Sequence, residues 1–420
     1  MFNRQVSRRS LIKTLVGAAA AGLSPRGFSM VEDMKDRIAA IIREYDAQGI
    51  HRTGTTVDNA SADWLANRIR ALGITPELDA FAFERLEVHD ARLVLDKLSI
   101  TAVPLFDATY TSADGLTGTL GPLGSDADIG IEMILPVGGS DTLQRCMKAR
   151  RENAHSAIVL VTDDRMPPGG VATLNAEDFT APFGPPVIQV ANDHWPELGA
   201  ASDAGKTVRL VAHASHVPAR AQNVQAVIKG SDPDRAPLVI MTPRSGWWSC
   251  ASERGGGLAA WLEMMRAIQA AGPVCDVVFT ANTGHELGHT GLDHYLASVP
   301  GLIRDAGMWI HLGANFAAAI GGGVRLQYVD ETVRNWTGAY LDAAGIAPAV
   351  ETPVGERPYG EARNVFDGGG RYISVLGSNG LFHHPADRWP DAVDLPLTTA
   401  WIEVLSRLAV DLSLGKGPLA

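Results

Sequence analysis

The densest group of potential metal ligands in the chain is formed by His285, Glu286 and His289, directly after a β-branched apolar run at residues 277–281. Imidazole nitrogens and carboxylate oxygens bind catalytic zinc, which keeps one coordination position open for water or substrate. The segment fits the pattern H-E-x-x-H, in which two histidines one helical turn apart bind zinc and the glutamate is the general base.

The same segment also fits a loop at the end of a strand. H-E-x-x-H belongs in the middle of a helix, whereas here a strand-like run ends about four residues earlier, and Gly284 and Gly288 weaken a continuous helix. The alternative template is Glu-Glu-x-Gly, in which the first acid is the base and the second is a ligand. His285 then takes the place of the base and Glu286 that of the ligand. We favour this strand-end interpretation, and a polar loop without chemistry stays open as a third.

Apolar runs and amphipathic helices alternate on both sides of this segment. Strands are predicted at 238–241, 277–281, 308–312 and 372–376, and helices at 258–268 and 395–412. This alternation predicts an α/β fold with a mainly parallel central sheet and helices on both faces. Sites in such sheets lie beyond the carboxyl ends of the strands. The residues that fall there are Arg244, Glu253, His285, Glu286, His311 and His383.

Residues 91–218 have a different character, because short β-rich runs alternate with Gly and Pro. We interpret them as a small β-rich domain inserted into a larger α/β domain formed by residues 31–90 and 219–420. The inserted segment contains no clustered ligands or nucleophile, so a lid or recognition surface without chemistry is expected.

The N-terminal residues Ser7-Arg8-Arg9-Ser10-Leu11-Ile12-Lys13 precede a short Ala-rich apolar stretch. This pattern predicts a twin-arginine signal peptide over residues 1–30, with a basic N-terminal helix as the alternative. The apolar stretch is too short to span a bilayer, and no later stretch is long enough, so we expect a soluble periplasmic protein without a membrane span.

Composition narrows the possible functions. The formal net charge of −11 argues against a nucleic-acid surface. Three scattered cysteines imply no disulfide framework. The length of 420 residues indicates two or three structural units. The oligomeric state is not indicated.

The order of the motifs resembles that of the zinc-dependent aminopeptidase family, which also includes the glutaminyl cyclases. The inserted segment resembles a protease-associated domain. The resemblance covers most of the chain after the leader and is carried by five segments in the family's order: 223–241, 252–257, 284–288, 310–312 and 382–387. It implies the fold of that family and a small peptide-like or amide substrate.

The resemblance also reveals substituted ligands. The family's His-x-Asp triplet falls on Pro243-Arg244-Ser245, and Pro and Ser cannot replace those ligands. Glu253 stands for the metal-bridging Asp, His285 for the base and His311 for the second Asp. The resemblance therefore implies one zinc ion rather than two. Its candidate ligands are Glu253, Glu286 and His383, with His311 and His289 as further candidates.

A metal-dependent hydrolase of peptide-like or amide bonds is the favoured function. His285 is the expected proton shuttle, because an unperturbed histidine has a pKa of ~6.5. Arg244 could bind a substrate carboxylate bidentately, or neutralise Glu253 or Glu286 instead. Two other classes stay open. One is a zinc-dependent cyclase or acyltransferase, and the other is a non-catalytic binding protein on a degraded aminopeptidase scaffold.

Overall fold

A computed structural model describes residues 26–136 and 140–418. Its helices, α1 to α10 in chain order, are Arg26–Ala47, Thr56–Ala71, Asp141–Glu152, Trp195–Asp203, Gly255–Ala271, Thr290–Ser298, Leu302–Asp305, Glu331–Ala344, Ala362–Asp367 and Leu395–Ser413. Its strands, β1 to β14, are Pro76–Leu95, Leu98–Thr101, Val103–Pro104, Leu116–Pro122, Ile129–Ile134, Ala157–Thr162, Val187–Val190, Thr207–Ile228, Leu238–Pro243, Val277–Asn282, Met308–Leu312, Gly323–Tyr328, Val350–Glu351 and Tyr372–Ser378. Short 3-10 helices occupy Asn192–His194 and His285–Leu287.

The predicted signal peptide falls almost wholly outside the described residues, because only residues 26–30 of it belong to α1. Within the described ranges, none of the helices combines the length and apolar character needed to cross a membrane.

The centre of the fold is a mainly parallel sheet. Strands β14, β11, β9 and β10 lie side by side in parallel, with β12 antiparallel to β14 and β8 antiparallel to β10. Its largest apolar cluster includes residues from α1, α2, α5 and α10 packed against these strands. The predicted α/β class with a mainly parallel sheet is thus confirmed.

Two long antiparallel strands lead from the central sheet to a smaller one. β1 and β8 pair from Pro76 opposite Ala226 to Val94 opposite Arg209, with a register shift between Val88 and Asp90. β4 pairs with β8 and begins a second set of parallel strands, β4-β5-β6-β7, which has its own apolar clusters. The boundaries predicted at 90/91 and 218/219 fall inside β1 and β8. The likeness of this segment to a protease-associated domain stays a prediction.

Close packing of α5 against the sheet positions the residues that precede this helix. A Cβ atom on Gly257 would lie 2.7 Å from Thr242 Oγ1 and 3.2 Å from the Leu312 carbonyl oxygen, so the helix can approach β9 and β11 only with glycine there. Glu253 lies just before α5 and is thereby held at the carboxyl ends of these strands.

The ligand-rich segment begins at the end of a strand. β10 ends at Asn282, Gly284 follows with φ +83°, and His285 and Glu286 lie in a 3-10 helix. His289 has φ +68° and precedes α6, so His285 and His289 do not share one helix. The strand-end interpretation is confirmed, and the mid-helix H-E-x-x-H interpretation is wrong.

Candidate metal centre

Two buried side-chain atoms from distant parts of the chain meet at this end of the sheet. Oε1 of Glu253 lies 3.5 Å from Nε2 of His383, and both side chains are almost fully buried. Neither of these atoms, nor Oε2 of Glu253, has a hydrogen-bond partner in the part of the chain that the structure describes. Two ligands of a tetrahedral zinc ion lie about 3.4 Å apart when each bond is about 2.1 Å. The spacing and the unused lone pairs therefore fit a shared metal ion.

The inserted segment fixes the orientation of the His383 ring. Nδ1 of His383 lies 2.8 Å from the carbonyl oxygen of Thr173, to which it donates its proton. The Thr173 amide in turn donates to the His383 carbonyl oxygen. A histidine that donates through one ring nitrogen presents the lone pair of the other, as metal ligands do. Nε2 of His383 is consequently the nitrogen available to a metal.

His285 completes a group of three. Glu253, His285 and His383 each offer one ligand atom, and these atoms lie within 4.8 Å of one another. Nδ1 of His285 lies 2.5 Å from Oε1 of Glu361, which leaves the lone pair on Nε2. A carboxylate behind a histidine is a frequent partner of metal-bound imidazoles, because it fixes the ring and increases its basicity.

Glu361 joins two histidines through its two carboxylate oxygens. Its Oε2 lies 3.0 Å from Nε2 of His311, and Nδ1 of His311 lies 2.8 Å from the Ser374 hydroxyl. The Ser374 hydroxyl in turn donates to the side-chain oxygen of Gln327. Burial raises the pKa of Glu361, but the nearby His285 and His289 outweigh it and hold that pKa well below its usual range. Glu361 is therefore an ionised carboxylate.

His289 is adjacent to this network. It forms a second group with His285 and Glu361, whose ligand atoms also lie within 4.8 Å of one another. Its Nδ1 lies 2.9 Å from the side-chain oxygen of Asn364, and its ring centroid is 5.3 Å from that of His285. Burial is the main reason that the pKa of His289 falls to about 4, so this imidazole is neutral near pH 7.

A buried arginine already compensates the charge of Glu253. Nη2 of Arg254 lies 2.9 Å from Oε1 of Glu253, at an angle unsuited to a hydrogen bond. Its Nε donates to the carbonyl oxygen of Ser245, whereas Nη1 and Nη2 have no hydrogen-bond partner among the described residues. Burial raises the pKa of Glu253, but Arg254 and His383 outweigh it and hold that pKa below its usual range. The site thus combines an ionised ligand with a fixed positive charge.

Solved structures of similar fold come from bacterial peptidases. The zinc aminopeptidase BSAP from Bacillus subtilis superposes with a TM-score of 0.73 at 15% identity, covering 91% of this chain and 94% of that one. The aminopeptidase of Aneurinibacillus sp. strain AM-1 gives a TM-score of 0.66 at 14% identity, covering 93% and 95%. A peptidase M28 precursor from Shewanella amazonensis gives 0.73 at 16% identity, covering 93% and 98%.

The chain has the fold of the zinc aminopeptidases. No protein-family model matches the sequence, and no curated protein matches it significantly. At these identities the likeness establishes the fold, which the resemblance of the motifs had implied.

Within this aminopeptidase fold, Glu286 lies outside the group of three. Its Oε1 accepts hydrogen bonds from the amide and the hydroxyl of Thr53, both at 2.7 Å, and its Oε2 accepts one at 2.6 Å from the Ser245 hydroxyl. Ser245 and Thr53 also accept from the amide of Gly284. Through these contacts the Glu286 carboxylate links three loops.

Arg244 also has protein partners that the sequence did not indicate. It is fully buried, and its Nη1 lies 2.8 Å from Oδ1 of Asp58, while its Nε and Nη2 donate to the carbonyl oxygen of Gln222. It therefore neutralises Asp58 rather than Glu253 or Glu286, and its guanidinium is not exposed to a substrate.

The structure also places residues in the site that sequence reasoning missed. Glu361, Arg254 and Thr173 contact the candidate ligands. Arg254 is adjacent to Glu253 in the chain, which was a usable signal. Glu361 and Thr173 lie 76 and 210 residues from their histidine partners, with no spacing pattern that connects them.

Proposed function

We propose that this protein hydrolyses peptide-like or amide bonds with one divalent metal ion held by Glu253, His285 and His383. The observation that carries the proposal is the 3.5 Å approach of two buried ligand atoms on Glu253 and His383, neither of which has a hydrogen-bond partner in the described residues. Two imidazoles and one carboxylate are a donor set of catalytic zinc, so zinc is the first candidate. The zinc aminopeptidases that share the fold also support zinc as the metal.

The residues around this group suit amide hydrolysis. Zinc bound there would supply Lewis acidity for a carbonyl oxygen. The buried guanidinium of Arg254, whose Nη1 has no hydrogen-bond partner among the described residues, can stabilise negative charge that develops on the same oxygen. Neutral His289 can accept a proton at Nε2, because its Nδ1 donates to the side-chain oxygen of Asn364.

This assignment gives His285 a different role from the proton shuttle that the sequence predicted. His285 belongs to both groups of potential ligands, and Glu361 holds its Nδ1. We assign His285 as the third ligand, because Glu253 and His383 alone provide only two. Proton transfer then falls to His289, the neighbouring neutral imidazole.

Metal analysis and activity measurements test the proposal together. We expect about one zinc per chain in the purified protein and hydrolysis of aminoacyl amides. His383→Ala should lose both, whereas the control His294→Ala should keep both, because His294 is 37% exposed, pairs with Asp79 and stacks on Phe81. N-terminal Gln peptides test the cyclase alternative. Hydrolysis at full rate by a verified metal-free protein would refute the proposal.

A second candidate function is ligand binding without metal. It is favoured by one observation, the buried ion pair between Arg254 and Glu253, which balances the carboxylate with no added cation. A protein that binds no zinc even when it is refolded with zinc, and that hydrolyses none of these substrates, would establish this candidate instead.

We also propose that residues 1–30 direct export to the periplasm by the twin-arginine route. The support is the Arg8-Arg9 pair and the apolar stretch behind it. Substitution of both arginines by lysine should retain the protein in the cytoplasm, as cell fractionation can show. An unchanged periplasmic fraction would contradict the proposed route.

A further inference from the structure

A small cavity opens at the junction between the central sheet and the inserted segment, next to the loop that carries His285. It encloses about 130 Å³ and reaches Glu286, the residue that follows His285. A water molecule takes about 30 Å³, so the cavity has room for a small polar group of a few heavy atoms. Its charged lining residues are Arg52, Arg85, Glu87 and Glu286.

Three of these four side chains already form hydrogen bonds or an ion pair. Arg85 and Glu87 form an ion pair at 2.5 Å. The oxygens of Glu286 accept hydrogen bonds from Thr53 and Ser245. Because Thr53 and Ser245 are neutral donors, the Glu286 carboxylate keeps its charge, and it interacts electrostatically with Arg52.

Arg52 is the exception. Its Nε is buried and has no hydrogen-bond partner in the described residues. The guanidinium carbon lies 5.9 Å from the centre of the Phe106 ring, which supports the side chain from the inserted segment. An arginine backed by an aromatic ring, with its planar donors unused, is suited to bind a carboxylate bidentately.

We propose that this cavity binds a carboxylate of the substrate through Arg52. The inference rests on the proposed function, because the cavity reaches Glu286, the chain neighbour of the candidate ligand His285. It narrows the substrate to peptides that carry a negative charge. Two sources supply this chemistry: the α-carboxylate of a dipeptide and an acidic side chain. Arg52 thus takes the carboxylate-binding role that the sequence suggested for Arg244, whose buried guanidinium is paired with Asp58.

The test measures binding separately from catalysis. Reduced-amide dipeptides, in which a methylene replaces the scissile carbonyl, are titrated calorimetrically into the full chain as purified. Ala-Ala as the free acid is compared with its C-terminal amide, and Ala-Glu amide with Ala-Gln amide. We expect one charged member to bind roughly tenfold or more tightly than its neutral partner, because charge-assisted bonds to arginine are about twice as strong as neutral ones. The pair that shows the difference identifies the source of the carboxylate.

Variants assign this preference to Arg52. Arg52→Gln should abolish the difference, and Arg52→Lys should retain part of it, so a folding defect is distinguishable from a lost contact. Arg334→Gln is the matched control, because Arg334 is paired with Glu351 outside the cavity. Equal binding of acids and amides, or an unchanged preference in folded Arg52→Gln, would overturn the carboxylate subsite. A clear preference in a protein without hydrolytic activity would refute only the proposed function.

Discussion

Nδ1 of His285 lies 2.5 Å from Oε1 of Glu361, and both side chains are buried. This contact connects the loop after β10 with the start of α9, which are 76 residues apart in the chain. It determines the tautomer of His285, because an ionised carboxylate can only accept a hydrogen bond. The lone pair of His285 is therefore on Nε2 and available to a metal.

Glu361→Gln tests the importance of this contact. The amide keeps the shape of the side chain but loses the charge that increases the basicity of His285, so metal affinity should fall about 10–100-fold. Competition against a zinc-binding dye measures the affinity. Glu351→Gln is the control, because Glu351 pairs with Arg334 in a partly exposed position. An unchanged affinity in Glu361→Gln would show that Glu361 is only a structural partner.

Glu286→Gln tests the contacts that place Glu286 outside the metal group. The glutamine turns an amide group toward donors from Thr53 or Ser245, so the free energy of unfolding should fall by about 2 kcal/mol. The zinc content should stay the same. Chemical denaturation and metal analysis measure the two quantities, with the more exposed Glu87→Gln as the control. Loss of zinc from the folded variant would restore Glu286 as a ligand, as the sequence predicted.

The sequence predicts the position of the site better than its contacts. The apolar run before His285 ends a strand, and Gly284 allows the turn that follows, so local patterns suffice to place His285 at the sheet edge. Glu253 and His383 were also found from the order of motifs. These predictions depend on strand order and on residues that are close in the chain.

The direction of each buried side chain could not be predicted in the same way. The Glu286 carboxylate is held by two donors from Thr53, which lies 233 residues away in the chain. Arg244 is buried because Asp58 lies next to it in the fold. These side-chain directions depend on which donors and charges the tertiary structure brings together, and no spacing in the sequence indicates them.

Arg254→Met tests the relation between the fixed positive charge and the metal. The substitution leaves the buried Glu253 carboxylate without its compensating charge, so the metal-free protein should lose about 3–5 kcal/mol of stability. Zinc should bind roughly tenfold or more tightly, because the nearby like charge is gone. The rise in melting temperature on adding zinc should therefore exceed that of the wild type. Arg266→Met, a half-exposed arginine near Glu263, provides the control. A smaller zinc-induced rise would mean that Arg254 helps to hold the metal group together.

A pH dependence of stability follows from His51, which is fully buried and stacks on Tyr45 with ring centroids 3.8 Å apart. Burial, together with the positive charge of Arg244, lowers the pKa of His51 to about 3. The unfolded chain has a histidine pKa of about 6.5, so below that pH it binds a proton that the folded protein does not. The contribution of His51 to stability is thus fully present above pH ~6.5 and is lost as the pH falls toward 3, by up to about 1.4 kcal/mol per pH unit.

His51→Phe keeps a ring against Tyr45 but cannot titrate. In urea unfolding at pH 7, 6, 5 and 4.5, its free energy of unfolding should therefore decrease less with falling pH than that of the wild type. His51→Gln should show the same weaker pH dependence from a lower starting stability, because it loses the stacked ring as well as the titrating group. If both variants retained the wild-type slope, another buried group would be responsible for the acid sensitivity, and His51 would not contribute to it. The comparison isolates His51 because each variant is measured against the same wild-type background at every pH.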